Sequence, residues 1–109
     1  NCAAVLMTTR AETFSHIGVE ALHHGCLIVA TDSSCLPEVL GDAADYYQPG
    51  DVDHLAHLIE YLATIDSKER AARSTNSRAR AARYTWANTV DQTIDVLRAA
   101  HSTASGDPA

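Results

Sequence analysis

The apolar positions of the chain fall into two short runs followed by three helical stripes. Ala3 to Met7 is an apolar run ended by Thr8-Thr9, and Cys26 to Ala30, β-branched at its centre, is a second one ended by Thr31-Asp32-Ser33-Ser34. Unbroken apolar runs of this length predict strands covered on both faces. Between them Ser15 is placed to cap a helix, Ile17, Ala21 and Leu22 form its stripe, and Gly25 stops it. Strand, helix, strand at this spacing predicts a parallel pair with a right-handed crossover.

The pattern then changes. Pro37 opens a one-turn helix closed at Gly41, and Asp45 to Gln48 predicts a third short strand before Pro49-Gly50. A helix from Asp51 carries Val52, Leu55, Ile59 and Leu62 at helical spacing. A second has Asp66-x-x-Glu69 as a capping box, and a third follows Thr85 with Trp86, Val90, Ile94 and Leu97 on one side. The expected class is α/β: a partial Rossmann-like, three-layer parallel sheet with a helical C-terminal extension, residues 1–100 forming the domain and 101–109 a disordered tail.

Charge sharpens the picture. Residues 1 to 66 carry ten acids against the single base Arg10, whereas Lys68, Arg70, Arg73, Arg78, Arg80 and Arg83 are opposed only by Glu69. The alanines between these bases favour helix and no aromatic residue is interleaved to stack a base, so the run reads as a solvated helix face and no nucleic-acid partner is expected. Cys2, Cys26 and Cys35 have no framework spacing and read as reduced, buried thiols. No apolar run approaches the ~20 residues of a membrane span, and no basic-then-apolar segment opens the chain, so a cytoplasmic location is expected. The chain starts at Asn1 and runs straight into an apolar segment, as a piece of a longer protein would.

The stretch Ala11-Glu12-Thr13-Phe14-Ser15-His16-Ile17-Gly18-Val19-Glu20 holds the candidate chemistry. It lies where ligands bind in open parallel sheets, in a loop leading from a strand's carboxyl end into a helix. Free N–H groups around Ser15 to Gly18 and the positive end of the helix dipole favour an anion, and Gly18 is read as letting it approach the backbone. Glu12 and Glu20 would flank that anion. Since a carboxylate repels phosphate, each should meet a neutral hydroxyl-bearing group, which fits a phosphate between two polyols: a nucleotide sugar. His23-His24 beside Cys26 do not form a metal pair, because adjacent histidines point to different faces of a helix. A receiver-type signalling module is rejected, because the only lysine, Lys68, falls in a helix and not after a late strand.

Taken in order, Glu12-x7-Glu20, Ala21-Leu22, Gly25, Leu36-Pro37-Glu38-Val39, Gly41-Asp42-Ala43-Ala44 and the Tyr84-Thr85-Trp86 helix start resemble the C-terminal half of retaining glycosyltransferases of family 4 (glycosyl transferases group 1, GT-B fold) over residues 3 to 100. The resemblance implies a catalytic Glu12 on a donor-sugar hydroxyl. It implies backbone N–H groups of Phe14, Ser15 and His16 on the sugar and its phosphate, Ile17 and Gly18 beside the diphosphate, and Glu20 on the ribose hydroxyls. The sequence departs from the family at Thr13 and Ser15, where glycine is frequent, and at His23 and His24, where small residues are usual.

The implied function is transfer of a hexosyl-type sugar from a nucleotide-diphosphate donor to an acceptor glycan, lipid or small molecule with retention, without a metal or other cofactor. The acceptor and the basic clamp on the diphosphate would belong to a missing N-terminal domain and a missing half of the Rossmann domain. Any peripheral membrane contact would also be made through the missing domain. The isolated chain is expected to be inactive. The alternative is a non-catalytic, truncated nucleotide-binding remnant that needs a partner domain.

Overall fold

The computed structural model describes residues 2–104 and residue 106. Strands β1 (Val5–Met7), β2 (Ile28–Thr31) and β3 (Ala44–Tyr47) form a parallel sheet in the order β1-β2-β3, with Val5 opposite Ile28 and Ile28 opposite Ala44. Helix α1 (His16–His23) connects β1 to β2. A short α2 (Leu36–Leu40) and the 3-10 turn Gly41–Ala43 lead into β3, and α3 (Val52–Thr64), α4 (Ser67–Ala81) and α5 (Trp86–Ala104) follow.

All four residues of β2 are buried, as a central strand between two helical layers requires. Alternation sends its side chains to opposite faces. Ile28 and Ala30 join Met7, Ala21, Leu22, Leu36, Val39, Leu40 and Ala81 in one core under α1, α2 and α4; Leu27 and Val29 join Tyr47 and Leu62 in a second core under α3. This is the expected three-layer α/β half-sheet.

Ile17, expected in the stripe of α1, is 67% exposed, and several other details differ from the sequence reading. First, β2 starts at Ile28 and not at Cys26, because residues 25 and 26 close α1: Gly25 N–H donates to the Leu22 carbonyl at 2.9 Å and Cys26 N–H to the Ala21 carbonyl at 3.0 Å, with Gly25 at φ 67°. That pair of bonds is a Schellman motif, which needs a left-handed residue where Gly25 stands. Second, the inward stripe of α3 is Leu55, Leu58 and Leu62, continued by Ile65 just past its end, with Leu62 buried and the others half-buried; Val52 is 71% exposed and Ile59 42%. Third, Cys2 is exposed and Cys26 and Cys35 are half-buried; burial is the leading cause that pushes the latter two thiols up, keeping them protonated. Fourth, α5 continues through residues 101–104, assigned above to the tail, while Ser105 and residues 107–109 lie outside the described residues.

The arginines of α4 do not form a merely solvated face. Arg73 bridges Asp45 on β3 at 2.7 Å and Glu69 at 3.1 Å, and Arg70 donates to the carbonyls of Leu62 and Ala3. Arg78 reaches the His24 carbonyl at 3.3 Å, and Arg80 donates to the carbonyls of Val39, at 3.0 Å, and Glu38. Guanidinium groups with several fixed donors suit such carbonyl-rich seams. They fasten α4 across the ends of other elements. Asp66 caps α4 by accepting from Glu69 N–H at 2.7 Å. The Glu69 carboxylate does not close the capping box; it accepts from the Tyr61 hydroxyl and from Arg73, which hold it below the usual carboxylate range.

Helix α5 behaves differently: none of its residues is buried, and Trp86, Val90, Ile94 and Leu97 are 84, 50, 39 and 63% exposed. The Cα radius of gyration, 17.8 Å, exceeds the ~13 Å of a compact domain of this length because α5 extends from the body.

Tyr46 gives a pH prediction. Burial pushes its phenol up to about 12, and its hydroxyl donates to the Gly41 carbonyl at 2.7 Å. A group whose pKa is raised on folding stabilises the fold fully below its unfolded pKa, ~10 for tyrosine, and loses that contribution as pH rises towards the folded value. Stability should therefore fall between pH 10 and about 12. Tyr46→Phe should be less stable at neutral pH by about 1 kcal/mol, for the lost hydrogen bond, and should show a flatter alkaline limb in urea titrations. An equally steep limb in the variant would assign the alkaline loss to another group.

Candidate functional site

The β1–α1 loop, residues 8–15, lies at the carboxyl end of β1 and runs into the amino terminus of α1. Ser15 is the N-cap: its Oγ accepts from Gly18 N–H at 3.3 Å. Its backbone is left-handed, at φ 70°, although it is not glycine. Such a conformation is strained for an L residue with a side chain, and strained backbone gathers at functional sites. A glycine would take this φ without strain. Serine adds a cap that glycine lacks.

The cap occupies the Gly18 N–H, whereas the N–H groups of His16 and Ile17 have no acceptor among the described residues. The first turn of α1 contains no acid, so these two donors and the helix dipole face no carboxylate of their own helix. Packing gives the missing side chain of Gly18 a reason of its own. Gly18 is buried, and a Cβ there would lie 3.0 Å from Leu40 Cδ2, 3.0 Å from Ser15 Oγ and 3.4 Å from Met7 Cε. A bare backbone at position 18 lets α1 settle on β1 and α2.

The two glutamates occupy different elements. Glu12 is half-buried in the loop, and its carboxylate accepts from Thr13 N–H at 2.9 Å. Glu20 is exposed on the second turn of α1, and its side chain has no partner among the described residues. It shares an exposed strip with Ile17 and His24, at helical spacing. Phe14 and His16 stand at the same helix start, with their rings edge-to-face at 5.3 Å, and Phe14 also meets Tyr84 edge-to-face at 5.7 Å.

A groove of about 950 Å³ opens beside that aromatic pair, between α1 and the start of α5, lined among others by Phe14, His16, His23, Arg83 and Trp86. Of the expected site residues it contains Phe14 and His16, and neither glutamate lines it. His23 lies against the Tyr84 carbonyl at 3.4 Å, so a position where the family carries a small residue here seats the α4–α5 turn.

Sequence reasoning missed the residues that hold the candidate loop. Thr31 Oγ1 donates to the Thr9 carbonyl at 2.5 Å, and Ser34 Oγ donates to the Glu12 carbonyl. The signal was present as the hydroxyl run Thr31-Asp32-Ser33-Ser34, which reads from sequence only as a strand terminator.

A family model described as glycosyl transferases group 1 matches residues 1–80, which takes in the whole sheet and both glutamates and stops short of the Tyr84-Thr85-Trp86 helix start. The chain is also similar to the O-antigen chain mannosyltransferase B of Escherichia coli, 33% identical over 81 residues that cover 73% of this chain and 21% of that protein. It thus spans about a fifth of the length of that curated relative. Among the described residues no helix is long and apolar enough to cross a membrane.

Proposed function

Because the chain belongs to the glycosyl transferases group 1 family, we propose that it supplies the donor-binding half of a retaining, family 4 enzyme that moves a hexosyl group from a nucleotide-diphosphate sugar to an acceptor hydroxyl. The observation that carries the reading is the helix start at His16 and Ile17: two N–H groups without acceptors, with a loop carboxylate, Glu12, before them and an unpartnered carboxylate, Glu20, after them. The diphosphate meets those N–H groups and the positive end of α1. Glu12 accepts from a hydroxyl of the sugar and Glu20 from the ribose hydroxyls. As the sugar leaves, negative charge grows on the diphosphate oxygens, and donors already fixed in place stabilise it without reorganising.

The acceptor glycan, lipid or small molecule and the second domain belong to chain beyond this one. The relative's name makes mannose the first sugar to try. A cytoplasmic setting suits the free thiols.

No metal is needed in this scheme. The Asp-x-Asp spacing that could suggest a metal, Asp51-Val52-Asp53, opens α3: Asp51 caps that helix, accepting from His54 N–H at 2.9 Å. The test is a transfer assay on the protein that carries this chain, with separation of UDP, GDP and ADP as released product, in the presence and absence of excess chelator. Release of one nucleotide diphosphate, undiminished by chelation, is expected. Loss of turnover restored by manganese would overturn the metal-free scheme. The absence of any transfer from all three donor classes would favour a non-catalytic nucleotide-binding domain.

A further inference from the structure

Glu12 is held by a residue from a different loop. Ser34, which follows β2, donates through its hydroxyl to the Glu12 carbonyl at 2.5 Å and accepts from the Glu12 N–H at 3.1 Å. One side chain thus engages both backbone polar groups of a residue 22 positions away. Thr31, only 1% exposed, fixes the start of the same loop by donating to the Thr9 carbonyl at 2.5 Å, and Ser33 reaches that carbonyl at 3.5 Å. Among the described residues, the hydrogen bonds tying residues 10–14 to residues beyond the β1–α1 loop all come from Ser34; within the loop Thr9 Oγ1 donates to the Ala11 carbonyl at 2.8 Å.

Ser34 does this from a left-handed backbone, at φ 57°. Glycine is the low-strain residue for that conformation, so what serine contributes there is its hydroxyl. The neighbouring Ser15, at φ 70°, makes the same exchange at the helix start, accepting backbone strain and supplying an oxygen to a backbone N–H.

We propose that Ser34 is a positioning residue for the transfer reaction: it clamps the backbone of Glu12 so that the carboxylate is presented to the donor sugar in one geometry. The proposal rests on the reading of Glu12 given above. Misplacement of a group that touches the reacting sugar by about 1 Å lowers rate strongly even when binding survives. The clamp should therefore act on kcat and leave donor KM largely alone.

The discriminating substitution is Ser34→Gly, which keeps the left-handed backbone, relieves its strain and removes the hydroxymethyl side chain that carries the clamp. In the protein that carries this chain, Ser34→Gly should have an unchanged or higher Tm, a donor KM within about twofold of the parent and a kcat about tenfold lower. Amide exchange at Glu12 should speed up about tenfold, because its N–H loses its acceptor. A Ser34→Gly/Glu12→Ala double variant should be no slower than Glu12→Ala, since the clamp acts through that carboxylate. An unchanged kcat in Ser34→Gly, with Glu12→Ala impaired, overturns the clamp and leaves the donor site standing. An unimpaired Glu12→Ala overturns the donor-sugar role of Glu12, and the clamp with it.

Discussion

Replacing Glu20 by alanine is expected to weaken nucleotide binding about a hundredfold. A carboxylate accepting from two ribose hydroxyls gains about 1.5 kcal/mol from each, and the pair corresponds to roughly two powers of ten in Kd. The fold should not respond. The Glu20 side chain is exposed and has no partner among the described residues, and an exposed helix position of that kind shifts stability by no more than about 0.5 kcal/mol on substitution. Glu20→Gln, which keeps one acceptor oxygen, should lose about tenfold. Calorimetry with the released nucleotide diphosphate separates these values. A Kd unchanged in Glu20→Ala would remove the ribose contact and return Glu20 to an ordinary solvent-facing helix position.

The second large effect is on the fold, at Gly25→Ala. Gly25 closes α1 at φ 67°, where a side chain costs about 1–2 kcal/mol for an L residue. The new Cβ would stand 2.4 Å from Ser74 Oγ and 2.6 Å from Arg78 Cζ. Both side chains can move, but moving them breaks the bond within α4 from Arg78 to Ser74 Oγ at 2.8 Å and the one from Arg78 to the His24 carbonyl at 3.3 Å, which fastens α4 to the end of α1. Together these terms give about 2–3 kcal/mol, or a Tm lowered by roughly 10–15 °C for a domain of this size. Thermal unfolding followed by circular dichroism measures it. A shift below about 3 °C would mean that the helix end relaxes to another closure.

The sequence by itself determined the parallel strand, helix, strand unit, the one-turn helix opened by Pro37, the capping roles of Ser15 and Asp66, and the stretch in which chemistry was to be sought. These are local properties. Apolar runs, capping residues and glycine stops act through neighbours a few positions away, so their signals survive in one dimension. The family pattern added roles to Glu12 and Glu20 that no periodicity contains.

Tertiary structure decided the rest. Gly18 reads from sequence as room for a ligand, and only the positions of Leu40 and Met7 show that the space is filled by packing. Val52, Leu55, Ile59 and Leu62 and Leu55, Leu58, Leu62 and Ile65 are both helical stripes; the sheet face offered by Leu27, Val29 and Tyr47 selects the second. The arginines of α4 became fasteners because Asp45 and the carbonyls of Ala3, Leu62, His24, Glu38 and Val39 converge on that helix. The hold of Ser34 on Glu12 spans 22 positions. A hydrogen bond between two loops leaves no periodic trace, because its geometry exists only after β1 and β2 have paired and brought the loops at their carboxyl ends together.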